Sequence, residues 1–590
     1  MIQAYGLSFP DGTTPATVEL FCFAHGWARE QSGLTRYQHY RQAVDLLWNV
    51  PRREYAIARK MAYDPDKHDL FIWNEWTELV SEQLCIEKEV LISGPGASWK
   101  STAVAVYGNV LWYSSPHNTR VVCTSTTSDA LRAKFWKEIQ HFYRAANTGI
   151  GNPVPSRTII QYQKGDDGAG IYGVAVESDG SVERAVNKIV GRHNTNVFVA
   201  VDELATVSEA IVEASVNLET GAEHFQFAGM ANPDSKFDPH GRMSEPENGW
   251  NSITDETQMW RTKRGGVAIH LDGRRSPRIR DDDKFPGMIR QRDLDRTAEI
   301  YGENSPQFWK QRVGFWCPEG ITKTVLSETM IQKFRAMEKI GAGGVLSWVS
   351  GFVQAAVLDP SFEGQDRKVL RFPKWGDVFD SLTGQTRKAI DLGEYIILKV
   401  DVTLPEPIHY QIVRQVKQAC IERGISPELF ALDSTGEGGG LASIFAREWS
   451  PAIVTVEFGG RPSDRPVSEI NPRTCREEYV NRVTELWFAV RTMMQNFQVY
   501  GLDKDTAIEF CKRLWEPHGN MIIVESKTVM KTRTGKSPDL ADSAVIATEL
   551  FRQKEDVSIT SMPTQDDAWN KFHREQAALL DADHSYLVET

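Results

Sequence analysis

The sequence lacks any apolar run near the roughly 18–20 residues that a bilayer-spanning helix needs, which excludes a helical membrane anchor. Met1 to Pro15 carries neither a positive n-region nor an apolar h-region, so no secretory leader is expected. Cysteine is sparse: Cys22, Cys85, Cys123, Cys317, Cys420, Cys475 and Cys511 are scattered, odd in number and free of any Cys-x-x-Cys pair. That excludes a sequence-evident zinc site or disulfide framework and suits a reducing cytoplasm. Internal repeats and low-complexity blocks are absent too, which sets aside solenoid and low-complexity architectures. Positive charge is in deficit, with a net charge of -12. This disfavours a passive nucleic-acid coat but not a nucleic-acid enzyme. Clustered carboxylates add negative charge that bound cations neutralise, and DNA contact needs only a local basic face.

What is present is a 590-residue chain, 41% hydrophobic and 25% charged, too long for one core. Two large domains are expected. Residues 37–48 read as an amphipathic helix. Glu89–Ser93 reads as a strand, followed by a glycine-rich loop, a helix over 102–113, a strand over 120–124 and a helix over 129–145. That alternation predicts a parallel α/β sheet, resumed at Val197–Val201 and again before Asn232-Pro233. Glu338 to Gly344 is the best linker. Beyond it, strands are predicted over 350–359, 368–372, 395–402 and 429–433, with helices over 408–423, 481–497 and 505–514 and a closing one over 540–553. Two basic stretches, Arg274–Arg280 and Lys527–Lys536, offer local DNA contacts; the first reads equally well as a solvated loop beside Asp281, Asp282 and Asp283.

The loop Ser93-Gly94-Pro95-Gly96-Ala97-Ser98-Trp99-Lys100-Ser101-Thr102 resembles a phosphate loop. Such a loop needs small residues so that backbone N–H groups wrap phosphates, a lysine for the β and γ phosphates, and a hydroxyl for Mg²⁺. Gly94, Gly96, Lys100 and Ser101 supply them. Trp99 stands where the usual pattern has glycine. Asp202 and Glu203 end the second apolar run, where a metal-assisting acid and a water-activating base belong; they also read as a helix N-cap with an acid in its first turn. Asn232 is placed to sense a γ-phosphate, or to start an Asn-Pro turn. Arg192 is one arginine-finger candidate. The nucleotide-binding set is therefore Gly94, Gly96, Ser98, Trp99, Lys100, Ser101, Thr102, Asp202 and Asn232, for ATP and Mg²⁺.

The second half holds acids in a different pattern. Asp359 ends one apolar strand and Asp433 another, while Asp539 and Asp542 sit three apart at a helix start and so share a face. Two-metal phosphodiester cleavage needs carboxylates converging on two ions. The RNase H-like layout puts acids on its first strand, at the end of its fourth and on a late helix. Asp401 is a fourth strand acid that reads better as a polar residue at a strand edge, and Asp366 reads as a turn residue.

Together these segments resemble the large terminase subunit of tailed bacteriophages over about residues 85–550. The motifs that carry the resemblance are Trp99-Lys100-Ser101, Gly191-Arg192-His193, Val201-Asp202-Glu203, Gly229-Met230-Ala231-Asn232-Pro233, Ala431-Leu432-Asp433-Ser434-Thr435-Gly436 and Lys536-Ser537-Pro538-Asp539-Leu540-Ala541-Asp542-Ser543. The resemblance implies an N-terminal P-loop ATPase of the additional-strand type with a mainly parallel sheet, and a C-terminal RNase H-like α/β nuclease. The expected boundaries are 1–60 for an N-terminal helical appendage, 61–320 for the ATPase domain, 321–348 for a linker, 349–555 for the nuclease and 556–590 for a mobile acidic tail. By the same resemblance, Lys100 and Ser101 bind phosphate and Mg²⁺, Asp202 assists the metal, Glu203 activates water and Asn232 belongs to a coupling motif. Asp359, Asp433, Asp539 and Asp542 hold nuclease Mg²⁺, with Mn²⁺ substituting. Gln83 is a candidate adenine contact. The partners implied are double-stranded DNA, a portal protein, a small terminase subunit and further copies in a ring on the prohead, in the host cytoplasm and without a membrane. The runner-up is a DNA repair or recombination ATPase fused to a resolvase-like nuclease.

Overall fold

The computed structural model describes residues 1–155, 157–165, 168–175, 195–207, 209–321, 323–341, 344–361, 366–468 and 473–555. Arg192 with its neighbours Gly191 and His193, and the expected tail 556–590, lie outside the described residues. The chain forms two units, Met1–Thr322 and Lys323–Thr590.

In the first unit a hairpin of β1 (Ile2–Ala4) and β2 (Leu7–Phe9) precedes the helices Pro15–Ala24, Arg36–Val44 and Glu75–Ile86. Within the expected appendage 1–60, Phe23 and Tyr40 are fully buried, with rings 6.2 and 5.7 Å from that of Tyr107. These helices share the core of the sheet that follows. Its strands are β3 (Glu89–Ser93), β4 (Thr119–Ser125), β5 (Asn152–Val154), β6 (Ile159–Gln161), β7 (Gly170–Ala175), β8 (Asn196–Val201), β9 (His224–Ala231), β10 (Met259–Arg261) and β11 (Val267–His270).

They pair in the order β10-β11-β3-β9-β8-β4-β7-β6-β5. The stretch from β11 to β7 is parallel throughout, and antiparallel strands finish both edges. Parallel strands covered on both faces read as unbroken apolar runs, which is why Val90-Leu91-Ile92 and Val197-Phe198-Val199-Ala200-Val201 show no alternation. β9 lies between β3 and β8, as the additional-strand arrangement requires. The carboxyl ends of β3, β9 and β8 are therefore neighbours, the place where open α/β sheets bind ligands.

In the second unit β12 (Leu346–Trp348), β13 (Val353–Gln354), β14 (Ala356–Asp359), β15 (Val369–Asp380), β16 (Gln385–Ile397), β17 (Phe430–Asp433), β18 (Val454–Val456) and β19 (Val499–Tyr500) make one sheet. Its main path is β18-β17-β14-β15-β16-β19, with β12 and β13 added on β15. β14, β15 and β16 are antiparallel neighbours, while β17 and β18 run parallel to β14. A separate hairpin joins β20 (Trp515–His518) to β21 (Met521–Val524). The expected linker 321–348 contains the helix Glu328–Lys333 and β12.

Two predicted strands are corrected. Residues 368–372 and 395–402 are parts of a hairpin of 12 and 13 residues per arm, and its second arm ends at Ile397. Asp401 therefore lies beyond the sheet in an exposed turn, where its carboxylate accepts from the Thr403 N–H at 2.9 Å and hydroxyl at 2.6 Å.

Side chains alternate across a sheet. Ala356 and Leu358 of β14, with Phe430 and Leu432 of β17, pack under the helices Ile408–Glu422 and Glu437–Glu448. The intervening residues, ending in Asp359 and Asp433, face the other side, where the helix Asp539–Glu555 crosses β14 and β15.

Candidate functional site

The loop after β3 is held from several sides. Gly94 N–H donates to the Ala231 carbonyl at 3.2 Å, and the Ser98 hydroxyl to the Pro95 carbonyl at 2.8 Å. A side chain at Gly314 would collide with Pro95 and Gly94, so a second glycine segment lets the backbone press against the loop. Gly96 faces open space on its outer side. Trp99 has φ +59°, a left-handed conformation, and the helix Lys100–Ser114 starts directly after it. This explains why glycine is usual at this position. The departure at Trp99 leaves the strand–loop–helix path intact, and its ring packs on the core of the unit.

Lys100 is buried and turned into the loop. Its ammonium donates to the carbonyls of Gly94 at 3.1 Å and Pro95 at 2.9 Å, and to Asn232 Oδ1 at 2.9 Å. Burial lowers its pKa to about 8, against the opposing charges of Asp202 and Glu203. The Ser101 hydroxyl donates to Asp202 Oδ1 at 3.3 Å, and burial raises the Asp202 pKa in spite of Lys100. Thr102 turns away, donating to Glu138 at 3.2 Å.

Glu203 has φ +57° and is followed by turns, not by a helix, so the N-cap reading of the acid pair does not hold. Asn232 is drawn in by Lys100. Gln83 lies in the helix Glu75–Ile86, where its carbonyl accepts from the Glu87 N–H. The loop, Lys100, Ser101, Asp202 and Asn232 thus meet at the carboxyl ends of interior strands, with Glu203 alongside.

Three partners escaped sequence reasoning. Lys134 Nζ sits 2.5 Å from Glu203 Oε1, and Thr126 donates to Glu203 Oε2 at 3.4 Å. His240 is fully buried with Nε2 2.8 Å from Ser93 Oγ and its ring stacked 5.7 Å from Trp316. Burial drives its pKa to about 3, so it is neutral at physiological pH. None of the three lies within a motif of the sequence, and each reaches the site through sheet topology.

In the second unit the four predicted acids gather at the ends of β14 and β17 and the start of the helix Asp539–Glu555. Asp359 and Asp539 are 3% and 1% exposed, and Asp359 Oδ2 and Asp539 Oδ1 have no hydrogen-bond partner. Burial, with Asp542, Asp539 and Asp433 adding to it, holds the Asp359 carboxyl well above the usual range, while Lys527 opposes. Asp433 accepts from the Thr435 N–H at 2.8 Å; burial raises its pKa, and the charge of Asp542 contributes. Asp542 Oδ1 accepts from Trp487 Nε1 at 3.2 Å, and Asp539 Oδ2 from the Arg367 N–H at 2.9 Å.

Glu509, also missed, accepts from the N–H groups of Leu540 at 2.8 Å and Ala541 at 3.0 Å and pairs with Arg367. Asp366 is no plain turn residue, since it pairs with Lys531 at 2.7 Å.

Among the described residues no three His, Cys, Asp or Glu side chains form a metal cage. The Lys527 ammonium stands 3.1 Å from Asp542, 3.3 Å from Asp539 and 4.0 Å from Asp359. In donor chemistry the set still fits a hard cation: carboxylate oxygens, two of them buried without a partner.

No family model and no curated protein matches the sequence. Solved structures do. The large terminase of bacteriophage HK97 is similar over 87% of this chain and 99% of its own, at TM-score 0.37 and 11% identity. The large terminase of a thermophilic bacteriophage, in complex with ADP, is similar over 80% and 96%, at TM-score 0.30 and 11% identity. The Phi-28 gp11 DNA packaging motor is similar over 73% and 96%, at TM-score 0.27 and 11% identity. The solved structures this chain is similar to are thus phage large terminases and a DNA-packaging motor.

Proposed function

We propose that this chain is a viral DNA-packaging motor subunit, which hydrolyses ATP to move double-stranded DNA and cuts concatemeric DNA with a metal-dependent endonuclease. The observation that carries the reading is the meeting, at adjacent ends of β3, β9 and β8, of Lys100, Ser101, Asn232 and Asp202. In this reading Lys100 and the loop N–H groups hold the β and γ phosphates. Ser101 and Asp202 hold Mg²⁺, which supplies positive charge to the phosphates. Glu203 takes the proton of the attacking water, and Lys134 and Thr126 orient its carboxylate. Asn232, exchanging Lys100 for phosphate, registers the nucleotide.

The acid set of the second unit supports the cutting function. Asp359, Asp433, Asp539 and Asp542 would hold Mg²⁺ or Mn²⁺, which activates water and stabilises the leaving oxygen. Double-stranded DNA is what the motor would move and what the nuclease would cut. A portal protein, a small terminase subunit and further copies in a ring are the proposed partners, met in the host cytoplasm and on the prohead.

The test is separation of the two activities. Glu203→Gln should abolish ATP turnover and leave Mn²⁺-dependent cutting of plasmid DNA largely intact. Asp433→Ala should do the reverse. Full cleavage by Asp433→Ala would sink the metal assignment. A packaging motor's ATP turnover should rise with portal-bearing proheads. Turnover indifferent to them but stimulated by branched DNA would favour a repair or recombination enzyme.

A further inference from the structure

Lys527 opens the helix Lys527–Thr534, capped by the Ser526 hydroxyl, which accepts from the Val529 N–H at 3.2 Å. This fixes the root of its side chain beside the acid cluster. Three carboxylates from two different elements face its ammonium: Asp359 from β14, and Asp539 and Asp542 from the helix Asp539–Glu555. Among the neighbouring cations, Arg513 acts on Asp542 through charge from its buried place over the Trp487 ring, and the others have partners of their own. Arg367 pairs with Glu509 and reaches Asp539 on its other oxygen, and Lys531 pairs with Asp366.

The fit of Lys527 is loose. Asp359 Oδ2 and Asp539 Oδ1 are buried, yet neither receives a hydrogen bond. The ammonium meets them through charge, at 4.0 and 3.3 Å. A hard divalent cation would draw the same oxygens in to about 2.0–2.6 Å. Cation and ammonium cannot occupy the one space among these carboxylates.

We propose that Lys527 is the resident counter-ion of the acid cluster, which a divalent metal must displace, so that Lys527 sets the metal affinity of this site. The inference rests on the proposed nuclease reading of the cluster. With Lys527 in place, part of the carboxylates' charge is offset without metal, which lowers the cost of folding with them buried. When metal enters, the ammonium swings out on its flexible stem toward solvent, to which the Lys527 side chain is already 39% exposed.

The experiment is a Mn²⁺ titration of the full-length protein without nucleotide, followed by the electron paramagnetic resonance signal of free Mn²⁺. Lys527→Met keeps the length of the side chain and removes its charge. It should bind Mn²⁺ about tenfold more tightly, since a like charge a few ångströms from the ion has gone. Lys527→Arg should stay near wild type. In EDTA, Lys527→Met should unfold at a lower temperature than wild type, and Mn²⁺ should close the gap.

Unchanged or weaker Mn²⁺ binding by Lys527→Met overturns the proposal. If that variant misfolds in EDTA, refolding with Mn²⁺ is the readout: recovery supports displacement, and failure to recover overturns it. Asp542→Asn separates the two levels of the argument. It should weaken Mn²⁺ binding in the wild-type background. If binding is untouched there, the nuclease reading itself falls.

Discussion

The Lys100 ammonium donates to Asn232 Oδ1 at 2.9 Å, across 132 residues of sequence. Lysine and asparagine hold each other at the mouth of the loop. A hydrogen bond to a charged group is worth about 1.5–3 kcal/mol. Asn232→Leu, which removes the acceptor and keeps the volume, should leave ATP binding within a few-fold of wild type. Its kcat should fall at least tenfold if Asn232 acts beyond binding. Equal loss in affinity and kcat/KM would reduce Asn232 to a binding residue.

The protonation of Lys100 predicts a pH profile. Burial lowers its pKa to about 8, so the free enzyme loses this charge at higher pH. Because kcat/KM reports the free enzyme, kcat/KM for ATP should decline as pH rises through about 8. The bound polyphosphate restores the charge, so kcat at saturating ATP should stay level to higher pH. Lys100→Arg, if active, should lack the decline. A kcat/KM flat to pH 9.5 would contradict the lowered pKa.

Trp99 makes two opposing contributions: its left-handed backbone costs stability, and its ring packing adds it. Trp99→Ala loses the ring and keeps the strain, whereas Trp99→Gly loses the ring and relieves it. Trp99→Gly should be more stable than Trp99→Ala by about 1 kcal/mol, seen as a higher calorimetric transition for the full chain. The opposite order, which holds at ordinary exposed helix positions, would show that φ at residue 99 is not left-handed.

Both sites were legible where chemistry coincides with an element end. Asp359 and Asp433 each terminate an apolar strand, and the loop to Lys100 follows one. The hairpin of β15 and β16 was not legible in full. Pro373, Gly376 and Gly393 interrupt its pattern, and a register shift lies between Phe372 and Lys374. Gly393, at φ +67°, sits where a Cβ would run into the Phe372 carbonyl. Only the apolar ends read as strands, which carried the second arm too far, to Asp401. Lys134 and Lys527 were illegible as partners for another reason. A salt bridge set by topology leaves no local pattern, and Lys527 sat among basic residues read as a DNA contact.

Glu509 predicts a pH effect on stability. Its carboxylate caps the helix bearing Asp539 and Asp542, yet burial raises its pKa to about 7, with Arg367 opposing. A raised acid binds more protons folded than unfolded, so its contribution is fully present below the unfolded value near 4.5 and is lost as pH rises through about 7. Glu509→Gln is insensitive to pH. The melting temperature of wild type should therefore fall relative to Glu509→Gln between pH 5 and 7. A constant difference over that range would place the Glu509 pKa at its ordinary value.

Arg371 lies wholly buried in β15 beneath the acid helix. It donates to Ser543 Oγ at 3.0 Å, Thr506 Oγ1 at 2.6 Å and Asp503 at 3.2 Å. These partners tie the start of the helix Asp539–Glu555 to the sheet, and so fix Asp539 and Asp542 over β14. Arg371→Met keeps most of the stem but removes the donors to Ser543, Thr506 and Asp503; Asp503 is partly exposed and keeps the Thr506 N–H and hydroxyl. Losing the hydrogen bonds of a charged group costs about 1.5–3 kcal/mol, a large share of the stability of a typical domain. Arg371→Met should therefore become protease-sensitive in the second unit at temperatures where wild type resists. It should also lose DNA cutting, with ATP turnover of the first unit persisting. If Arg371→Met kept wild-type cutting, the helix would be positioned by Glu509 and the Trp487 contact without help from Arg371.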